Sequence, residues 1–315
     1  MGCPEYKPPI YSRRQVLTLG LEAEYGKSAP EEAVILVRDP VTNYNADVAS
    51  VAEESDIVDT AIPLSSTWGI SGSIWLDGYG NPSNPPSWAR LFHACGFPKD
   101  ESLHDLGYSV YRFSKPTSLT SRHYIGEWQH EARGCYGSFN VSAYAGQPVA
   151  LDFQLDGLFT KRTRKPTDDL SFPIPTIPPR LINADFSIVL ENGDNIVPIL
   201  QDFRLGVENK REQRFEAYPT HDPSEFYITY PLEATWEVTI EQNYDIDWIE
   251  IFREKVRCSL HIRVGQNNGQ SWVFKTPTTS AYLFAPPSGG NQGNVLAHRL
   301  SFALGGKNML EIEHR

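Results

Sequence analysis

The sequence predicts a mainly β protein built as two similar units in one chain, and three observations carry that expectation. Apolar and polar residues alternate over short runs, as where Trp236, Val238 and Ile240 interleave with Glu237, Thr239 and Glu241; period 2 marks a strand with one buried and one wet face. Twenty-three glycines and 24 prolines divide the apolar runs into short pieces bounded by turns. The same order of signals then recurs on either side of a proline-crowded stretch, as expected of a duplicated unit.

In the first half the expected elements are a strand over Val16–Glu24, a second over Ala33–Asp39 and a Trp-bearing strand over Ser66–Asp77. Between the last two, Pro40 to Thr60 carries Val41, Tyr44, Val48, Val51, Ile57 and Val58 at intervals without helical spacing. It reads as a long projecting loop whose apolar residues suit contact with another subunit. Pro85 and Pro86 open a short amphipathic helix through Trp88, Leu91, Phe92 and Cys95, and Gly96 ends it. His93 on that helix is expected as a hydrogen-bonded core or interface residue and not a catalyst. Paired strands over Tyr136–Tyr144 and Val149–Asp156 follow, joined by an Ala-Gly-Gln-Pro turn.

Pro166, Pro173, Pro175, Pro178 and Pro179 crowd Lys165 to Arg180 and exclude both helix and central strand there. The expected organisation is therefore a first domain at 1–164, a linker at 165–180 and a second domain at 181–315. The second half repeats the order: strands over Asp185–Glu191, Asp202–Glu208 and Ala234–Gln242 come first. A helix with Trp248, Ile251, Phe252 and Lys255 follows, capped by Asp245 or Asp247. Strands over Ser280–Ala285, Asn294–Leu304 and Asn308–Glu313 close it, the last two joined at Gly305 and Gly306.

Composition and motifs exclude most chemistry. A net charge of -11 with no basic stripe argues against gripping a nucleic-acid backbone. Cys3, Cys95, Cys135 and Cys258 have no metal or redox spacing and are expected as buried thiols. Gly69-Ile-Ser-Gly72 and Gly134-Cys-Tyr-Gly137 lack the spacing of a nucleophile elbow. Read as one strand, the segment holding His123 and His130 would point them to opposite sides, away from a shared metal. Asp152 and Asp156 lie about 13 Å apart along an extended strand, too far for a glycosidase pair. No phosphate loop is written. No enzyme, cofactor or metal is expected. With neither an apolar signal run nor a membrane-length stretch, synthesis in a cytoplasm and no membrane partner are expected.

Residues 85–177 resemble a known family. Pro86-Ser-Trp-Ala-Arg-Leu-Phe-His-Ala-Cys-Gly-Phe97 looks like the helix end of bacteriophage tail tube (major tail) proteins, and Tyr124-Ile-Gly-Glu-Trp-Gln-His-Glu-Ala-Arg-Gly134 resembles their strand leading into an Ala-Arg-Gly turn. Gly137-Ser-Phe-Asn-Val-Ser142, Ala145-Gly-Gln-Pro148 and Asp152-Phe-Gln-Leu-Asp-Gly-Leu-Phe159 follow in the family's order, and the opening Glu22-Ala-Glu-Tyr-Gly26 also fits. The resemblance implies two tail-tube-like β-sandwich or half-barrel units, each with one short α-helix, assembling into a ring with a β-barrel lumen. It implies a structural subunit of a virion tail, assembled in the host cytoplasm and stacked as rings into a hollow conduit for DNA ejection. Partners would be other copies in homotrimeric, pseudo-hexameric rings, the tape measure protein and then viral DNA in the lumen, with sheath, terminator and baseplate proteins at its surfaces and ends. Alternation places Asp152, Gln154, Asp156, Glu237, Thr239 and Glu241 on the lumen side, and the 40–60 segment becomes the inter-ring stacking arm. Two alternatives remain at this point: another ring of the same fold, such as a tail terminator or distal baseplate protein, and a carbohydrate-binding or carbohydrate-hydrolysing β-sandwich suggested by 7 Trp and 15 Tyr.

Overall fold

A computed structural model describes residues 15–51, 60–77, 81–167, 170–174, 176–182, 184–214, 225–242, 245–266, 269–292, 295–306 and 309–315. The first half contains β1 (Gln15–Leu21), β2 (Ala33–Ile35), β3 (Arg38–Val51), β4 (Thr60–Trp75), α1 (Arg90–Ala94), β5 (Ser109–Arg112), β6 (Leu119–Ile125), β7 (Trp128–Tyr144) and β8 (Ala150–Arg164). The second contains β9 (Asp185–Leu190), β10 (Asn195–Ile196), β11 (Leu200–Arg214), β12 (Glu225–Glu241), α2 (Trp248–Arg253), β13 (Arg257–Val264), β14 (Trp272–Lys275), β15 (Ala281–Leu283), β16 (Ser288–Gln292), β17 (Val295–Leu304) and β18 (Glu311–His314). The fold is mainly β, and every ladder between named strands is antiparallel.

One pairing scheme occurs twice. In the first half β1 pairs with β2 and β6, β6 forms a hairpin with β7, and the β3–β4 hairpin joins β8, which joins β7. In the second, β9 pairs with β10 and β13, β13 forms a hairpin with β14, and the β11–β12 hairpin joins β17. There the counterpart of β7 is divided into β14, β15 and β16, and that of β8 into β17 and β18. The divisions fall at Pro277, Pro286, Pro287 and the Gly305-Gly306 pair, residues that interrupt a ladder.

The two halves meet through β7 and β11, which pair from Phe139↔Val207 to Tyr144↔Asp202. One continuous sheet results, in the order β3, β4, β8, β7, β11, β12, β17, β16. Its inner face packs on the remaining strands and both helices.

A single core runs through both halves instead of two separate domain cores. Trp272 of β14 is fully buried against Trp88 and Phe92, with ring centroids 4.9 and 6.0 Å away. β18 pairs with β5 across the same seam, where Arg112 and Lys275 meet the buried Glu311 at 2.6 and 2.7 Å. Part of the 165–180 segment is likewise tied down: Val149 donates to the carbonyl of Pro179 and Leu181 donates to that of Gln147.

Three local expectations change. The 40–60 segment is no loop where it is described: Val41, Tyr44, Val48 and Val51 lie on β3, hydrogen-bonded to β4, while Ile57 and Val58 lie outside the described residues. Ala33–Asp39 divides between β2 and the start of β3, with a break at Leu36 and Val37, and Asp39 (φ 47°) sits at a register shift inside β3. His123 and His130 do not face opposite sides. A turn at Gly126 (φ 63°) folds β6 onto β7 and sets them directly opposite one another.

Candidate functional site

The eight-stranded sheet has two chemically distinct faces. Leu151, Phe153 and Leu155 on β8 and Trp236, Val238 and Ile240 on β12 are buried in the core. Asp152, Gln154, Asp156, Glu237, Thr239 and Glu241 emerge on the other side. Cross-strand partners in an antiparallel ladder share a face, and the ladder runs Asp152↔Asn140, Asn140↔Gly206, Gly206↔Thr235. All six residues therefore lie on one continuous surface spanning both halves.

That surface is polar and hollowed. A concavity of about 440 Å³ opens over β4, β8, β7, β11 and β12, lined among others by Ser71, Asn140, Gln154, Arg204 and Glu237. Its charge is mixed, with carboxylates in excess. Asp152, Asp156, Asp202, Glu208, Glu237 and Glu241 share it with Arg204, Arg211 and Arg299. Glu237 pairs with Arg299 at 2.5 Å and Asp156 with Arg211 at 2.6 Å; Gln201 donates to Glu241 at 2.6 Å and Thr239 to Asp202 at 3.1 Å. The Glu237 carboxylate beside Arg299 holds that guanidinium above its usual range. Arg204 crosses the junction between the halves to donate to Asn140 at 3.1 Å. The wall is thus a cross-linked polar lattice in which Asp156 and Glu237 are held by arginine.

Two hairpins outrun this sheet. β4 pairs with β8 only from Thr67 onward, so its Thr60–Ser66 portion has β3 alone for a neighbour among the described residues. β12 pairs with β17 only from Ala234 onward, and its start has β11 alone. Each hairpin carries a register shift near its root, at Asp47/Val48 and at Glu208/Lys210. The second projection lengthens the strand that the sequence predicts from Ala234. The run Phe226-Tyr-Ile-Thr-Tyr230, rich in strand-forming residues, was the available signal.

Three of the stretches that carry the family resemblance converge on that second hairpin, from its bulge at Asn209 out to Phe226, which pairs with Gln213. Glu22 is buried and accepts hydrogen bonds from Gly26 N, Gly134 N, Ser118 and Thr120, fastening its loop to the Ala-Arg-Gly turn. Gly134 (φ 61°) has no room for a Cβ, which would meet the Tyr25 hydroxyl oxygen at 2.4 Å. That hydroxyl in turn accepts from Phe226 N of β12 at 2.6 Å. Asn209, buried at the β11 bulge, donates to the carbonyls of Cys95 at 3.0 Å and Gly137 at 2.6 Å. The motifs are therefore the mortise into which the second half's hairpin is set.

Cys95, Cys135 and Cys258 are buried, Cys3 lies outside the described residues, and burial pushes the Cys95 and Cys258 thiols up to about 12. His93 accepts from Lys99 N, and its burial lowers it to about 4. No cluster of three metal-ligating side chains occurs among the described residues. No described helix is long and apolar enough to cross a membrane. No family model and no curated protein matches the chain.

Proposed function

We propose that the chain is a structural subunit of a long phage tail, a tube protein whose hollowed polar face lines the conduit through which the genome leaves. The observation that carries this reading is the sheet itself: eight strands, four from each half, form a concave polar wall backed by one core and ending in two edges that are unpaired among the described residues. Each half is read as one tail-tube-like unit, so three chains supply a pseudo-hexamer. Three such sheets make 24 strands; at ~4.8 Å spacing and a tilt near 40° they close a barrel of ~45–50 Å backbone diameter. That bore admits a duplex after side chains intrude. Closure also removes the edge strands that would otherwise recruit unrelated chains.

Mechanism follows from surface chemistry. A conduit must pass phosphates without holding them. Net acidity repels the backbone, while Arg204, Arg211 and Arg299, each engaged by Asn140, Asp156 or Glu237, offer few free cations. The tape measure protein would occupy the bore before DNA does. The two hairpins serve as stacking arms, six per ring, engaging the next ring, with terminator, baseplate and sheath proteins as further neighbours.

Negative-stain microscopy of concentrated protein tests the reading. Hollow striated tubes with threefold ring averages are expected, and shortening the first hairpin beyond its root and the second beyond the Gln213–Phe226 pair should leave folded rings that no longer stack. A protein that stays monomeric at every concentration sinks the proposal.

A further inference from the structure

The strand order β3, β4, β8, β7 is followed by β11, β12, β17, β16, and strand directions alternate throughout. The second set repeats the first by a shift, without inversion. The last strand of the first set, β7, pairs with the first strand of the second, β11. A shift-related repeat is heterologous, so whatever surface joins unit one to unit two is offered again by unit two to the next unit one. Among the described residues, β16 pairs only with β17 and β3 only with β4. We infer that β16 of one copy pairs antiparallel with β3 of a second copy of this chain, in the register of the internal β7–β11 junction.

The register follows from equivalent ladders. The β4–β8 ladder starts at Trp75↔Ala150 and the β12–β17 ladder at Glu241↔Ala297. Aligning those starts makes Asn43 of β3 equivalent to Gly206 of β11, and Val41 to Arg204, through their partners Gly69 with Thr235 and Ser71 with Glu237. Likewise Ser288 of β16 corresponds to Asn140 of β7, and Gly290 to Ser142, through Asp152 with Arg299 and Ala150 with Ala297. Since Asn140 pairs with Gly206 and Ser142 with Arg204, the seam is Ser288↔Asn43 and Gly290↔Val41, with Gly289↔Thr42 between them on the opposite face.

Burial says which surfaces await a neighbour. Val207 of β11, covered by β7, is 0 % exposed, while its equivalent on β3, Tyr44, is 53 % exposed. Outside the sheet the same contrast holds. Trp272 is 0 % exposed beneath the first half's Trp88; its equivalent across the β6–β7 hairpin, Trp128, is 36 % exposed. Both uncovered residues lie on the side of the first half that would face the second half of another copy. The opposing edge is open: a Cβ added at Gly289 or Gly290 meets nothing within 4 Å.

This deepens the tube reading by naming the seam that closes its ring. The test uses full-length chain carrying Cys3→Ser as background, with Asn43→Cys and Ser288→Cys, under mild oxidation. Directly opposed positions sit close enough for a disulfide after small adjustment. The double variant should convert mainly to a closed covalent trimer reversed by reductant, and Thr42→Cys with Ser288→Cys should give less than about a tenth of that product, its thiols facing apart. Equal yields from the two pairs, or none above the single variants, overturn the seam. Charge provides an independent readout. Val41→Lys with Gly290→Lys opposes like charges and should raise the protein concentration needed for assembly at least ~10-fold, whereas Val41→Lys with Gly290→Glu should recover most of it. No difference between them overturns the register. Striated tubes without the 43–288 disulfide would leave the tube reading standing and remove this seam; disulfide-closed trimers that never stack would keep the seam and remove the tube.

Discussion

The two halves turn the same corner with different chemistry. In the first, β7 and β8 run from the polar-faced sheet into the outer one without a break, and glycine makes this possible. Gly134 holds φ at 61°, and a Cβ at Gly157 would meet the Cys135 sulfur at 2.3 Å. A register shift between Arg133 and Tyr136 marks the bend, the usual device where a strand switches sheets. In the second half the corresponding strands stop at prolines and a glycine pair and restart beyond them. Topology is shared because both halves need a corner between two layers; sequence is not, because a bulge and a break satisfy it equally well. That is why the repeat is plain in the pairing and faint in the residues.

The halves differ also in what covers their outer hairpins, and removing that cover has the largest expected effect. Trp272 fills the space between Trp88, Phe92 and His314, whereas its counterpart Trp128 lies at the surface under Arg162, whose guanidinium carbon sits 4.2 Å from the ring centroid. Trp272→Ala should cost about 3–5 kcal/mol, the range for deleting a large buried aromatic. Trp128→Ala in the isolated chain should cost well under half of that. Urea unfolding of both variants measures the difference, and similar losses would contradict the unequal burial of the two positions.

Next in size is an acid response from a histidine pair that the second half lacks, beside the burial-lowered His93, His261 and His314. His123 and His130 face one another across β6–β7, and the equivalent positions on β13 and β14 are Ile262 and Phe274, both fully buried. His123 is 1 % exposed, neither of its ring nitrogens has a partner, and burial followed by the neighbouring His130 lowers it to about 4. Burial also lowers His130. The unfolded chain takes up these protons near pH 6.5 and the folded chain does not. The stability they contribute is therefore complete above about pH 6.5 and is lost as pH falls toward 4. Each histidine steepens the loss by up to about 1.4 kcal/mol per pH unit. His123→Ile with His130→Phe, which copies the second half, should flatten the melting temperature against pH over that window. His93 stays in place and keeps part of the slope.

Much of this is legible in the sequence. The alternation along β8 and β12 assigned both faces of the sheet, because a half-buried strand must present apolar residues at every second position. The paired histidines were not legible, since their placement depends on a two-residue turn at Gly126 and Glu127 inside what reads as one strand. The course of β3 beyond Asp39 is obscured by Asn43, Asn45 and Asp47, poor strand formers held by ladder bonds to β4. The seam between halves left no local trace at all. Its residues, from Phe139 to Tyr144 and from Asp202 to Val207, read as ordinary strands whose partners lie about sixty residues apart in the chain.

The smallest expected effect lies in the helices. Asp247 accepts hydrogen bonds from Ile249 N and Glu250 N, both at 3.0 Å, and so caps α2, while α1 has no side-chain cap and enters through Pro86 and a 3-10 turn at Ser87–Ala89. The contrast follows from surroundings. Leu91, Phe92 and Ala94 of α1 are buried, so packing holds that turn, whereas α2 buries only Trp248 and leaves Ile249 61 % exposed. A helix with little packing depends on its cap. Asp247→Ala should therefore cost about 1 kcal/mol. Asp247→Asn, which keeps an acceptor, should cost less than half as much. Equal losses from the two substitutions would assign the effect to charge at the helix start instead of the hydrogen bonds, and no loss would mean that Trp248 alone fixes α2.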